Sequence, residues 1–123
     1  MSEIGFLLDE HVPPLIQARL NQRESRLRVY AIGDEMAPIP GAPDGELLRW
    51  IETNQCFLVT NNRATMPIHL EAHLAENRHV PGIVQLPRRM NINEVIEDLL
   101  LIWAVSRPDE FQDQILYLPL SRP

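Results

Sequence analysis

Unbroken apolar runs alternate along this chain with segments whose apolar positions recur at helical spacing. Ile4 to Leu8 is a short apolar run of the kind that fills a strand buried on both faces. It stops abruptly at Asp9-Glu10, after which Pro13 opens a helix predicted to reach about Gln22, with Val12, Leu15, Ile16 and Leu20 on one face. Leu27 to Ile32 predicts a second strand, and Gly33 to Ala42 a loop rich in Pro and Gly. Asp44 stands at the N-terminus of a predicted helix carrying Leu47, Leu48 and Ile51, in the place of an N-cap. Cys56 to Thr60 predicts a third buried strand, closed by Asn61-Asn62-Arg63. Thr65 is positioned to cap a helix running to about Asn77, with Leu70 and Leu74 at helical spacing. Gly82 to Leu86 predicts a fourth strand. Asn91-Ile92-Asn93-Glu94 has the form of a capping box, and it opens a long helix whose Ile92, Val95, Ile96, Leu99, Leu100 and Trp103 make a broad apolar face. Gln114 to Leu118 predicts a last strand, and 119–123 a tail.

Strands alternating with helices imply parallel pairing through right-handed crossovers. The expected fold class is therefore α/β, a three-layer sandwich with a mainly parallel sheet of four to five strands. The 123 residues make one domain, 1–123, large enough to bury roughly two thirds of the unfolded surface without cross-links. Its single Cys56 has no internal partner, and Met1-Ser2-Glu3 lacks the basic start and apolar core of a signal peptide. No apolar stretch is long enough to cross a bilayer, so the expected location is cytoplasmic, without a membrane partner.

Charge narrows the chemistry. The net charge of −6 argues against a protein that coats nucleic acid electrostatically, although an acidic pocket can still meet phosphate through a bound cation. All 11 basic residues are arginine, which removes Schiff-base chemistry and the P-loop lysine. In a parallel sheet the carboxyl ends of the strands share one rim with the N-termini of the following helices, so Asp9, Asp44 and Thr60-Asn61-Asn62 are expected to be neighbours. Magnesium takes oxygen ligands and typically one or two protein carboxylates. Asp9 and Asp44, with the amide oxygen of Asn62, form a candidate set that leaves coordination positions for phosphate and water.

Three segments in order, Phe6-Leu7-Leu8-Asp9-Glu10-His11-Val12-Pro13, Asp44-Gly45-Glu46-Leu47-Leu48 and Phe57-Leu58-Val59-Thr60-Asn61-Asn62-Arg63, followed by Pro81-Gly82-Ile83-Val84, resemble the short bacterial PIN-like proteins of the toxin type. The resemblance covers about residues 4 to 86. It implies a PIN-like fold, a ribonuclease dependent on Mg2+ or Mn2+, RNA as substrate and a cognate antitoxin that masks the site. By position, Asp9 would be the first metal-binding acid, Asp44 the acid on the second helix and Thr60 the hydroxyl ending the third strand. The family commonly carries Asp where this chain has Asn62, and a further Asp and an aromatic where it has Ala64 and Thr65. Two missing carboxylates lower the charge of the site and weaken its hold on a cation.

Two functions follow from that departure. In one, Asp9 and Asp44 hold a cation, with Glu10 or Glu46 as an auxiliary ligand, and Arg63 steadies the scissile phosphate of RNA. In the other, the domain is catalytically degenerate and its rim binds protein or RNA. Each residue also has a plainer role: Asp44 as an N-cap, Asn61 and Asn62 as loop formers, Arg63 as the partner of a rim acid. His69, His73 and Glu76 form a stripe on one helix, for which a solvated face is a simpler account than zinc. Arg19, Arg23, Arg26 and Arg28 make a basic stretch around the end of the first helix that either guides an RNA backbone or is merely solvated. The apolar face of the last helix and the Trp50-Ile51 pair exceed what a small domain must bury, which suggests a homodimer.

Overall fold

Every residue of β1 (Gly5–Leu8) is buried, so the strand is covered on both faces. It lies inside the sheet, pairing in parallel with β2 (Val29–Ala31) on one side and β3 (Cys56–Thr60) on the other. Strands β4 (Ile83–Gln85) and β5 (Ile115–Tyr117) extend the sheet beyond β3, giving the order β2-β1-β3-β4-β5 with all neighbours parallel. The computed structural model describes residues 4–61, 63–89, 91–105, 107 and 109–120.

Alternation along the strands divides the core in two. Phe6, Leu8, Phe57, Val59 and Val84 face α1 (Pro14–Arg23) and α4 (Ile92–Val105). Leu7, Leu58 and Ile83 face α2 (Asp44–Asn54) and α3 (Met66–Ala75). The result is the expected α/β sandwich of three layers, with two helices on each face.

The placement of α4 breaks one expectation. The connections from β2 to β3, β3 to β4 and β4 to β5 all advance in the same direction across the sheet, yet α2 and α3 lie on one face and α4 on the other. A step in the same direction over the opposite face has the opposite hand, so the α4 crossover differs in hand from the three before it. The physical reason is coverage. Helix α1 alone contributes Ile16 and Leu20 to its face, and α4 adds Val95, Ile96, Leu99, Ile102 and Trp103 over the same aromatic and branched side chains.

The seam between α1 and α4 takes up the basic stretch. Arg19 donates to Asn93 Oδ1 at 2.7 Å, Arg23 to Glu97 Oε1 at 2.8 Å, and Arg26 lies 5.8 Å over the Trp103 ring. These contacts set the alignment of the two helices more than they stabilise it, because both ends of the Arg23–Glu97 pair are half exposed. Arg28 donates to the carbonyls of Asn54 and Gln55 at the end of α2. Each of these arginines thus has a partner within the domain.

Helix starts follow the expected chemistry only in part. Asn91 Oδ1 accepts from the Glu94 N–H at 3.2 Å, as a capping residue should. Asp44 and Thr65 cap nothing: α2 follows Pro43 and α3 follows Thr65, both without a side-chain cap. Their polar atoms are used elsewhere. Of the apolar excess, Ile51 is fully buried and Trp50 packs edge-on against Tyr30 at 5.2 Å, while Leu101 and Val105 on α4 stay exposed. His73, expected on a wet face, is buried with its Nε2 3.0 Å from Glu52 Oε1 and without hydrogen-bond geometry. Among the described residues, no helix is long and apolar enough to cross a membrane.

Gly5 marks the tightest backbone approach in the sheet. A Cβ there would stand 2.6 Å from the Arg28 carbonyl oxygen and 3.2 Å from Cys56 Sγ. Gly5→Ala is expected to lower the unfolding free energy by about 1–3 kcal/mol through forced separation of β1 and β2. Urea unfolding measures it, and an unchanged midpoint would contradict this close approach.

Candidate functional site

β1 delivers Asp9 to the rim, where its backbone is fixed on both sides: its N–H donates to the Val59 carbonyl at 2.9 Å and its carbonyl accepts from Val12 at 3.0 Å. Asp44 arrives on the first turn of α2, and Thr60 ends β3. Asp9, Asp44 and Thr60 are all buried. The topology thus brings Asp9, Asp44, Thr60 and Arg63 together, as the strand endings imply. Asn62, the remaining residue of the candidate set, lies outside the described residues.

Arg63 is the centre of the cluster. Its Nε donates to Asp9 Oδ2 at 2.5 Å and its Nη2 to Asp9 Oδ1 at 2.8 Å, the two-pronged geometry that suits guanidinium and carboxylate. Its Nη1 donates to Asp44 Oδ1. Thr60 Oγ1 donates to Asp9 Oδ2 and the Glu10 N–H to Asp9 Oδ1, both at 2.8 Å. Thr65 Oγ1 donates to Asp44 Oδ2 at 2.8 Å, and His69 Nε2 stands 3.7 Å from the same oxygen. Each carboxylate oxygen of both aspartates therefore has a protein partner.

Burial pushes the Asp9 carboxyl pKa up, but the hydrogen bonds from Arg63, Thr60 and the Glu10 amide outweigh it and hold the group below its usual range. The Arg63 pKa is raised, first by its hydrogen bonds to Asp9. The cluster of two carboxylates and one guanidinium carries a net charge of −1. As arranged, these residues do not fit a divalent cation, because the guanidinium holds the place between the carboxylates that the ion would need. Among the described residues, no group of three His, Cys, Asp or Glu side chains is disposed to hold a metal.

The other candidates disperse. Glu10 Oε1 accepts from the Gly41 N–H and so tethers the loop between β2 and α2 to the rim. Glu46 is exposed on α2, and it lines a shallow hollow with Trp50 and Arg49 that lies away from Asp9. Asn61 ties its loop to the His11 carbonyl at 2.8 Å. His69 turns toward Asp44 and His73 toward Glu52, so the histidine stripe does not converge. Thr65 and His69 are the site neighbours that sequence reasoning missed. Their signal was their offset from Arg63 along the start of α3, read there as capping and solvation. Beside Arg63 a hollow of about 240 Å³ opens between β3, β4, β5 and the start of α3, lined by Thr60, Ile83, Gln85, Ile115 and Tyr117. Cys56 is buried and its thiol pKa is pushed up to about 11 by burial, which makes it inert.

No protein-family model matches the chain, and no curated protein or solved structure matches it either.

Removal of Arg63 leaves Asp9 buried with a charge and fewer donors. Arg63→Ala is expected to lower the unfolding free energy at neutral pH by about 3 kcal/mol. The folded pKa of Asp9 lies below its unfolded value of 3.8, so the stabilisation is fully present above that value and is lost as pH falls through the folded pKa. The difference between wild type and Arg63→Ala should accordingly shrink below about pH 4. Denaturant titrations at neutral and acid pH test it, and a pH-independent difference would show that Asp9 is not the group responsible.

Proposed function

We propose that this protein is a cytoplasmic PIN-like domain of the toxin type that acts by binding a protein partner, in the manner of a cognate antitoxin, and not by metal-dependent cleavage of RNA. The observation that carries this reading is Arg63, which neutralises one of the two rim charges and occupies both aspartates at once. A carboxylate pair committed to a guanidinium is a structural ion-pair cluster, and what remains for function is the surface around it.

That surface favours protein over nucleic acid. Leu15 at the start of α1, Met36 and Ile39 in the loop before α2, Ile68 at the start of α3 and Tyr117 at the end of β5 are all exposed. All five lie at the carboxyl edge of the parallel sheet, whereas the other exposed large apolar residues, Leu101 and Val105, lie along α4. Exposed apolar side chains around one end of a small domain suit contact with a protein partner. The net charge of −6 opposes a phosphate backbone.

The ribonuclease reading draws on the convergence of Asp9 and Asp44 itself, and one experiment separates the two. Purified protein is incubated with structured and unstructured RNA, in manganese and in chelator, beside Asp9→Asn. The expected result is the same background in every lane. Cutting that needs both manganese and Asp9 would replace the binding reading with the nuclease one.

A further inference from the structure

The two edges of the sheet are finished differently, and from that difference we propose that β5 pairs antiparallel with β5 of a second copy of this chain. In a parallel ladder alternate residues direct their N–H and C=O groups to opposite sides of the strand. On β2, Phe6 donates to the Arg28 carbonyl and Ile32 to the Leu8 carbonyl, so residues 28, 30 and 32 face β1 while Val29 and Ala31 face outward. Three of those four outward groups, the Val29 carbonyl and both groups of Ala31, are met from within the chain. Gln17 Nε2 donates to the Val29 carbonyl at 3.2 Å and to Asp34 Oδ2 at 2.9 Å. Asp34 Oδ2 also accepts from the Ala31 N–H at 2.9 Å, while its own N–H donates to the Ala31 carbonyl at 2.9 Å. This is how a monomeric sheet blunts an edge.

β5 has no such seal. Ile83 donates to the Gln114 carbonyl and Leu118 to the Gln85 carbonyl, so residues 114, 116 and 118 face β4 and the N–H and C=O groups of Ile115 and Tyr117 point away from the sheet. No side chain or backbone group among the described residues meets them. A row of alternating donors and acceptors selects one chemistry, an extended peptide backbone.

The composition of the edge selects which one. Ile115-Leu116-Tyr117 is apolar, uncharged and self-complementary about Leu116. With a two-fold axis at Leu116, Ile115 lies opposite Tyr117 of the second copy, and the two outward N–H groups of each chain make four hydrogen bonds. Leu116 then meets Leu116 of the second copy on the α1/α4 face. On the other face, the Tyr117 ring of the second copy lies beside Ile115 at the hollow of about 240 Å³ that reaches Thr60 and Arg63. The second copy thereby supplies an aromatic wall to the rim site. Tyr117 is 66% exposed in the single chain, an unusual position for a ring that this pairing would cover.

Sedimentation velocity at micromolar concentration tests the pairing. Wild type is expected to sediment as a dimer, more completely as salt screens the −6 charge of each copy. Tyr117→Pro removes only an outward N–H and should give a monomer with native circular dichroism. If that variant fails to fold, the exposed-site change Tyr117→Lys takes its place with the same expectation. Leu116→Cys should cross-link to a covalent dimer under diamide, because a non-hydrogen-bonded antiparallel pair holds its Cα atoms about 4.5 Å apart. A wild-type monomer, a dimer indifferent to the Tyr117 change, or an uncross-linked Leu116→Cys would each overturn the proposal.

Discussion

The structure turns on one guanidinium. Arg63 follows β3, Asp9 follows β1 and Asp44 begins α2, and the three meet in a cluster that locks the carboxyl rim of the sheet. A buried carboxylate without partners costs several kcal/mol of desolvation, so neither aspartate would be tolerable there alone. The flat, three-way donor geometry of arginine makes the cluster feasible, since a lysine ammonium cannot bridge two carboxylates in one plane. A chain whose basic residues are all arginine has the right side chain at hand. The same bond set explains why Thr60 and Thr65 spend their hydroxyls on the aspartates and why α2 and α3 begin without side-chain caps.

Around this knot the rim is stiffened from several directions. Glu10 holds the loop between β2 and α2, and Asn61 holds the loop after β1. The carboxyl edge is therefore a presented surface more than a pliable one, with exposed Met36, Ile39, Ile68 and Leu15 standing on tethered segments. A preorganised apolar surface loses little freedom when covered, which is what a specific partner exploits. Toward the amino edge, among the described residues, His79 pairs with Asp113 at 2.6 Å, and Leu101 and Val105 at the end of α4 are exposed.

Much of this architecture was legible in the residues. The strands fell where unbroken apolar runs stood, because burial on both faces leaves no polar position to tolerate. Helix positions followed from apolar spacing, and the convergence of Asp9, Asp44 and Thr60 followed from parallel pairing alone. Three things were not legible. That Arg63 partners a rim acid was one of the readings of the sequence, but that it bridges both aspartates depends on rotamers and on the path of the loop through Arg63, and sequence spacing specifies neither. The burial of His73 was hidden by its polar identity, although it lies three positions after Leu70 on the inner side of α3. The face chosen by α4 depends on how much of the sheet α1 leaves bare, a global property that local periodicity does not carry.

The reversed crossover of α4 has a bearing on how the chain is made. β1, β2 and β3 are complete once residue 60 is synthesised, and α2 and α3 are complete by residue 75, so the layer over Leu7 and Leu58 closes early. The layer over Phe6, Leu8, Phe57 and Val59 has only α1 until residues 92–105 emerge. During translation one side of the nascent sheet is thus sealed while the other shows bare aromatic rings, the kind of surface that chaperones engage.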